Sequence, residues 1–446
     1  MHRQLKTFAI IIALCWGLFA LPAQASEMYR SPDAAPLLLS LDDAMERIKA
    51  QNLQVLIRQE SVRRALEQSY QRRAALLPQF SARAEQTRQQ LARGFAAEDF
   101  DTPAFNSFGS RLDASLSVFD TERYADYRLA KLNFAIEQLD LEAATQDILE
   151  QVVLLYFTQL RDLRSVEIAL GNLERERALL ELAQQQFEAG AAIKIDVTRA
   201  DVRVAAQRRE VMEAEIAVQS SLLELKALLD LDLDQAVQLD RSIIEGLNAP
   251  PSILHYGSLE VLTEIRPELL SQQKTLQQAE LARRAAGWQR LPTVELFANW
   301  GYDSSRAFDG NEGEAWLFGL RASIPIWEGG RIAAERREAA AAVRQNEYAM
   351  RDLRRQTERQ FKFAIVEMES RYAQIEIAKD EVRLGGDEVE QALERYREGL
   401  GDNRELIDAQ KRLADAERSQ LRAIYLYGLS RLGFARSIGS VEAVLK

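Results

Sequence analysis

The chain has 446 residues, 28% of them charged, with 57 Lys and Arg against 68 Asp and Glu for a net charge of −11. One cysteine and two histidines leave almost no raw material for a disulfide framework, a zinc cluster or a Cys–His or Ser–His nucleophile. The acidic balance argues against broad nucleic-acid binding.

Arg3 and Lys6 precede an apolar run from Phe8 to Leu21, and Ala23-Gln24-Ala25 follows, which predicts a signal peptide over residues 1–25. Cys15 lies within that apolar core, behind Ile12-Ala13-Leu14, and reads as part of the removed segment rather than a lipid-attachment site. Removal would leave 55 Lys and Arg against 68 Asp and Glu, a charge of −13. Beyond residue 25 no apolar run approaches the ~18–20 residues a spanning helix needs. The longest candidates, such as Val152 to Phe157, are core-helix material. If this exported chain crosses a membrane, it must use strands closed into a barrel.

Ser40-Leu41-Asp42-Asp43 predicts an N-cap and a helix running to about Leu77, where Pro78 stops it. A strand is expected over about 80–87 and a polar loop from Thr87 to Ser107. A second strand covers about 108–119, where Leu112, Ala114, Leu116 and Val118 alternate with Arg111, Asp113, Ser115 and Ser117. From Thr121 to Ala189 there is no proline and one glycine, Gly171, so a single helix of ~100 Å is expected. Leu129, Leu132, Ala135, Leu139, Ile148, Val152, Leu155 and Leu163 give it an apolar stripe, and Ile195 to about Leu229 runs back. Leu231 to Ser258, with Pro250-Pro251, reads as loop, and His255 within it as a linker residue.

The second half says the same thing again. Strands are expected over about 293–303 and 315–327, with the loop Asp303 to Gly313 between them. A long helix from Arg331 to about Glu398, interrupted at Gly385-Gly386, then pairs with one from Glu405 to Leu432. Gln51-Asn52 and Leu77-Pro78 correspond to Ile265-Arg266 and Leu291-Pro292 at a spacing of 214. Val118-Phe119-Asp120 corresponds to Ile326-Trp327-Glu328 at 208, and Phe187-Glu188-Ala189-Gly190 to Tyr396-Arg397-Glu398-Gly399 at 209. The shift falls mainly across the strand-to-strand loop, so one duplicated unit carries a longer first loop. The expected units are 26–245 and 259–437, joined by 246–258 and followed by a tail, 438–446. Trp300, Tyr302 and Trp316 border the second loop, and Phe119 and Trp327 the opposite strand ends, as in the aromatic girdles of membrane barrels. Alternation alone fits two hairpins on a soluble core equally well; helices of this length favour the membrane assembly.

Taken together these features resemble the TolC family of outer-membrane efflux and secretion channels, over essentially the whole chain beyond residue 25. The most specific parts are the two turns, each an aromatic-x-x-Gly with an acid six residues after the glycine: Phe187 to Gly190 with Asp196, and Tyr396 to Gly399 with Glu405. Ile324-Pro325-Ile326-Trp327-Glu328-Gly329-Gly330 resembles the family's passage from strand to helix. The resemblance implies a mainly α chain with a small β part, built from duplicated long-helix hairpins plus four strands. Three chains would form a twelve-stranded outer-membrane barrel above an α-helical periplasmic tunnel. Four strands cannot close a barrel alone, which agrees with oligomerisation.

The resemblance also carries expectations for single residues. Glu405 and Asp408, three apart on one helix face, match the acidic ring that narrows the tunnel. Six carboxylates would favour cations there; a solvated helix face is the plainer reading. Asp196 and Tyr396 match the family's entrance lock. Gly401 stands where a basic lock residue often occurs, which leaves Arg404 as the nearest substitute, with Lys194 on the other turn. Gly190 and Ala191 on one turn, and Gly399 and Leu400 on the other, match the site that docks a periplasmic adaptor; helix C-capping by the glycines fits alongside.

The function implied is a passive exit duct of a tripartite efflux pump or type I secretion system, recruited by an adaptor and an inner-membrane transporter. No cofactor, metal or enzymatic activity is expected, and the chain has no Walker-type Gly-Lys-Ser/Thr loop of its own. A periplasmic coiled-coil scaffold without a pore is the alternative; it gives the two amphipathic strand pairs no role.

Overall fold

A computed structural model describes residues 36–90, 104–190, 192–243, 250, 266–306, 313–398, 400 and 403–442. The signal peptide, His255, the 246–258 linker apart from Pro250, and residues Ala191 and Gly399 lie outside these. The elements are β1 (Leu37–Leu39), α1 (Leu41–Gln51), α2 (Leu53–Ala74), β2 (Gln79–Gln89), β3 (Phe105–Phe119), α3 (Thr121–Glu188) and α4 (Lys194–Leu228). They continue with β4 (Val237–Leu239), α5 (Pro267–Trp288), β5 (Thr293–Ser304), β6 (Gly313–Ser323), α6 (Arg331–Arg397) and α7 (Asn403–Ser437). The described chain is mainly helical with a small sheet part, and the duplication is visible element by element. Helices α2 and α5 have 22 residues each, and α4 and α7 have 35 each.

The first three helices start where the sequence supplies side-chain caps. Ser40 Oγ accepts from the Asp43 N–H at 3.1 Å and the Asp43 carboxylate accepts from the Ser40 N–H, a capping box. Asp120 accepts from the N–H groups of Glu122 and Arg123, both at 3.0 Å, and opens the 68-residue α3. Its counterpart in the second half is built differently. Gly329 and Gly330 take φ +63° and +89°, a double left-handed turn that only glycine makes cheaply.

Two expectations about helix continuity are corrected. The expected helix from Ser40 to Leu77 breaks at Asn52, whose backbone is extended (φ −63°, ψ 127°). Asn52 Oδ1 caps α2 by accepting from Gln54 and Val55, and Nδ2 donates to the Leu228 carbonyl at 2.8 Å, so a long-range contact holds the break open. Arg266, 214 residues on, caps α5 with nearly the same backbone (φ −70°, ψ 123°). Conversely, α6 runs unbroken through Gly385-Gly386. A Cβ on Gly385 would lie 3.3 Å from Leu413 Cα, so this glycine serves a close helix–helix approach, not an interruption.

In the half nearer the sheet, α2, α3, α5 and α6 pack side by side in that order; in the other half the row is α4, α3, α7 and α6. The largest core lies between the halves. Tyr156, Val152, Val153 and Leu149 of α3 meet Met45 and Ile48 of α1 and Leu225 of α4 there. The stretch read as loop from Leu231 onward contributes β4, which pairs in parallel with β1 beside this core. Tyr156 OH sits where β1 and the end of β4 meet, donating its one hydrogen to the Asp240 carbonyl at 2.7 Å, with the Leu39 carbonyl 3.1 Å away. Among the described residues no helix is long and apolar enough to cross a membrane.

The other sheet is antiparallel with the order β2-β3-β5-β6, so the two hairpins join through β3 and β5. β6 ends at Ser323, ahead of Pro325, whose nitrogen has no hydrogen to donate to a ladder. Ile326 and Trp327 follow it, 93% and 85% exposed.

Candidate functional site: the sheet and the turn end of the hairpins

The register puts Leu116, Leu296 and Leu320 in one cross-strand row. Ala114, Ala298 and Phe318 form the next, and Leu112, Trp300 and Trp316 the one after. Residues in register share a face, so these rows make one continuous apolar surface. The residues between them face the other way. There Arg111 donates to both Asp303 oxygens at 2.7 and 2.9 Å. Arg321 pairs with Glu295 at 3.4 Å and lies 4.8 Å from the Phe297 ring centre.

Aromatic pairs gather at the loop end of the apolar face. Trp300 meets Tyr302 edge to face at 5.3 Å and Trp316 stacks on Phe318 at 5.9 Å. Trp300 Nε1 donates to Glu314 at 2.7 Å, giving the ring an apolar body and a polar tip. Within this sheet β2 and β6, its outer members, have only one neighbour each among the described residues. The β3–β5 seam is tight, since a Cβ on Gly301 would fall 1.9 Å from the Ser110 carbonyl oxygen.

At the far end of the long helices the two turns lie together. Gly190 follows α3 with φ +76°, and the Leu400 N–H closes on the Arg395 carbonyl at 2.9 Å, the bond of a Schellman motif. Phe187, Ile193, Ile195 and Leu400 are exposed there, Leu400 at 70%. Tyr396 is buried against Leu179, Ala392, Leu406 and Ala409, and its carbonyl accepts from Gln186 Nε2 at 3.3 Å. The Asp196 carboxylate is taken up within its own helix by Arg199 at 3.3 Å, while its carbonyl accepts from Asn403 Nδ2 at 3.2 Å. Cross-turn contacts thus involve Asn403 and Gln186, which the sequence reading did not single out. Arg404 is exposed on the first turn of α7.

Glu405 and Asp408 are exposed on α7 as the spacing predicts, but neither stands in a purely acidic setting. Arg395 Nε lies 3.6 Å from Glu405. Arg412, one turn after Asp408, is bonded to Glu388 at 2.9 and 2.5 Å, which holds the Glu388 carboxyl below its ordinary value. The field of Asp408 also acts on Arg412. An i, i+4 scan from Asp408 would have found Arg412; Arg395 comes from the other helix of the hairpin.

Two groups of known proteins are similar to this chain. Pyoverdine export outer membrane protein OpmQ of Pseudomonas aeruginosa is 28% identical over 273 residues, covering 60% of this chain and 57% of that protein. Alkaline protease secretion protein AprF, from the same species, is 26% identical over 298 residues, covering 64% and 60%. The matched stretch thus spans less than two thirds of either relative. The fold is similar to the Campylobacter jejuni CmeC outer membrane channel, with a TM-score of 0.80 at 19% identity, covering 90% of this chain and 85% of that one. It is also similar to VceC of Vibrio cholerae, with a TM-score of 0.77 at 18% identity over 90% and 96%. The family described as outer membrane efflux protein matches residues 44–230 and 259–440. With most of both repeats matched, the chain belongs to the outer membrane efflux protein family, the TolC-like channels that its sequence resembles.

Proposed function

We propose that three copies of this chain close a twelve-stranded barrel in the outer membrane of a Gram-negative bacterium and continue into the periplasm as an α-helical tunnel. The assembly serves as a passive exit duct, recruited by a periplasmic adaptor and an inner-membrane transporter. The observation that carries this reading is the sheet: one face apolar and banded by aromatics, the other charged, with an unmatched strand at each edge. Such edges and such a face are costly in lipid unless neighbouring copies complete the ladder. A pore-less scaffold would give this sheet no role.

At the other end, Glu405 and Asp408 form the acidic narrowing, and Asp196, Tyr396, Arg404 and Asn403 take part in the entrance lock. The turns around Gly190, Ala191, Gly399 and Leu400 receive the adaptor tip, with Phe187, Ile193 and Leu400 as its apolar contacts. We place the choice of cargo in the transporter that recruits the duct. Planar-bilayer recordings of the mature protein test the reading. Cation-selective openings are expected, with selectivity lost by roughly severalfold in Glu405→Gln/Asp408→Asn as the charged ring is neutralised. Folded wild-type and variant trimers that never conduct would overturn it.

A further inference from the structure

The duplication repeats strand registers as well as sequence. Residues of β2 lie 214 positions before their counterparts in β5, and residues of β3 lie 208 before theirs in β6. Gln86 pairs with Phe108 in the first hairpin, and their counterparts Trp300 and Trp316 pair in the second. Ala82 pairs with Leu112, and their counterparts Leu296 and Leu320 pair as well. The two offsets carry one hairpin onto the other without a slip.

Between the hairpins, the second strand of one repeat meets the first strand of the other. There β3 sets Leu112 opposite Trp300, Asp113 opposite Asn299 and Ala114 opposite Ala298 of β5. β6 is again a second strand and β2 a first strand, and they form the two edges of this sheet. Neither edge can reach the other within one chain, so their pairing takes a second copy. Carrying the β3–β5 pairs forward by the same offsets sets Leu320 opposite Gln86 of the partner subunit. Arg321 then faces the partner's Glu85, and Ala322 faces the partner's Ala84.

Charge selects the same register independently. Arg321 is exposed on the charged face of β6, with Glu295 3.4 Å away on the β5 side and the open edge on the other. Glu85 is exposed on the charged face of β2, and its neighbour in register is Gly109, which has no side chain to meet it. Opposite charges directly across a ladder stabilise it, and like charges weaken it. A slip of two residues would set Arg321 against Arg83 or Thr87 of the partner subunit. A slip of one would turn the apolar rows of one copy toward the charged face of the next.

We propose that Arg321 and Glu85 of the partner subunit form an ion pair that fixes the register in which copies of this chain join. Each junction then carries a row of carboxylate, guanidinium and carboxylate, from Glu295 through Arg321 to the partner's Glu85, on the face that lines the pore. The proposal rests on the duct reading for the presence of a second copy; the register comes from the sheet itself.

Beyond residue 25 the chain has no cysteine, so introduced pairs report alone. Ala84→Cys/Ala322→Cys and Arg83→Cys/Ser323→Cys place matched cysteines on the two faces of the proposed ladder. Moving the β2 cysteine by two residues, to Ala82 or Gln86 for the first pair and to Ser81 for the second, tests a slip. Copper-catalysed oxidation of full-length protein in outer membranes should give covalent trimers on a denaturing gel. The better matched pair should exceed its slipped versions roughly tenfold. Glu85→Lys should lower that yield severalfold, and Glu85→Gln by less, since an amide still accepts from the guanidinium. A slipped pair that joins as well, a yield indifferent to Glu85→Lys, or no disulfide in trimers that conduct would overturn the register and leave the duct standing. A chain that stays monomeric in the membrane under amine cross-linking would overturn both.

Discussion

Gly385 lies in the last third of a 67-residue helix, and a Cβ placed on it would lie 3.3 Å from the Leu413 backbone. Glycine in a helix costs about 1 kcal/mol against alanine; here the close approach of α6 to α7 offsets that cost. Gly385→Val should force the two helices apart and lower stability by about 2 kcal/mol, read as an earlier melting transition in detergent. Gly386→Ala, where nothing lies within reach of a Cβ, should be neutral or slightly stabilising. Local sequence rules read both glycines as a break because they weigh a residue against its chain neighbours. The neighbour that decides Gly385 is 28 positions away. The same limit applies at the turn end. Glu405 and Asp408 were marked by the family resemblance and placed on one face by their spacing, but Arg395 reaches Glu405 and Asn403 reaches Asp196 across helices, and no period in the chain announces that.

At the scale of elements, the break between α1 and α2 shows how one side chain divides a helix. Asn52 satisfies two N–H groups of α2 with its oxygen and the Leu228 carbonyl with its amide. Asn52→Ala should cost about 1–2 kcal/mol, measurable by chemical denaturation, and Asn52→Asp should recover the cap but not the bond to Leu228. Ser40 and Asp120 were legible as helix starts because a capping residue at the edge of an apolar period has a local signature. Asn52 has none, since apolar residues continue on both sides of it. The three-residue strand β4 was hidden for a similar reason: Val237–Leu239 becomes a strand only because Leu37–Leu39 lies beside it. The four long strands carry enough alternation to be read from the chain, though β2 and β3 run further into the expected loop, to Gln89 and from Phe105.

At the scale of the molecule, Arg436 ties the two repeats together. Its guanidinium, buried near the end of α7, bonds Asp147 of α3 at 2.6 Å, lies 3.6 Å from Glu150, and also bonds Glu268 at the start of α5. Burial raises the Glu150 carboxyl above its ordinary range, against the pull of Arg436. Burial also acts to raise Glu268, but Arg436 and Arg266 outweigh it and hold that group low. Arg436→Met keeps the volume and removes the charge, so the three carboxylates, of which Glu268 is the least exposed, lose their common partner. A loss of about 2 kcal/mol is expected, seen as faster thermal inactivation of purified trimers; Arg436→Lys should recover only part of it, because an ammonium cannot reach three carboxylates with a planar fork.

The sheet's two unmatched edges bear on supply as well as on shape. In the proposed duct a chain with four strands holds a third of a twelve-stranded wall, and its apolar face gains its full surroundings only when two more copies arrive. Completion of the proposed duct is then a matter of encounter, and encounter of three bodies thins out much faster than their number. Cells making half as many chains would hold well under half as many ducts, and the stragglers would circulate as sticky, degradable fragments of a wall.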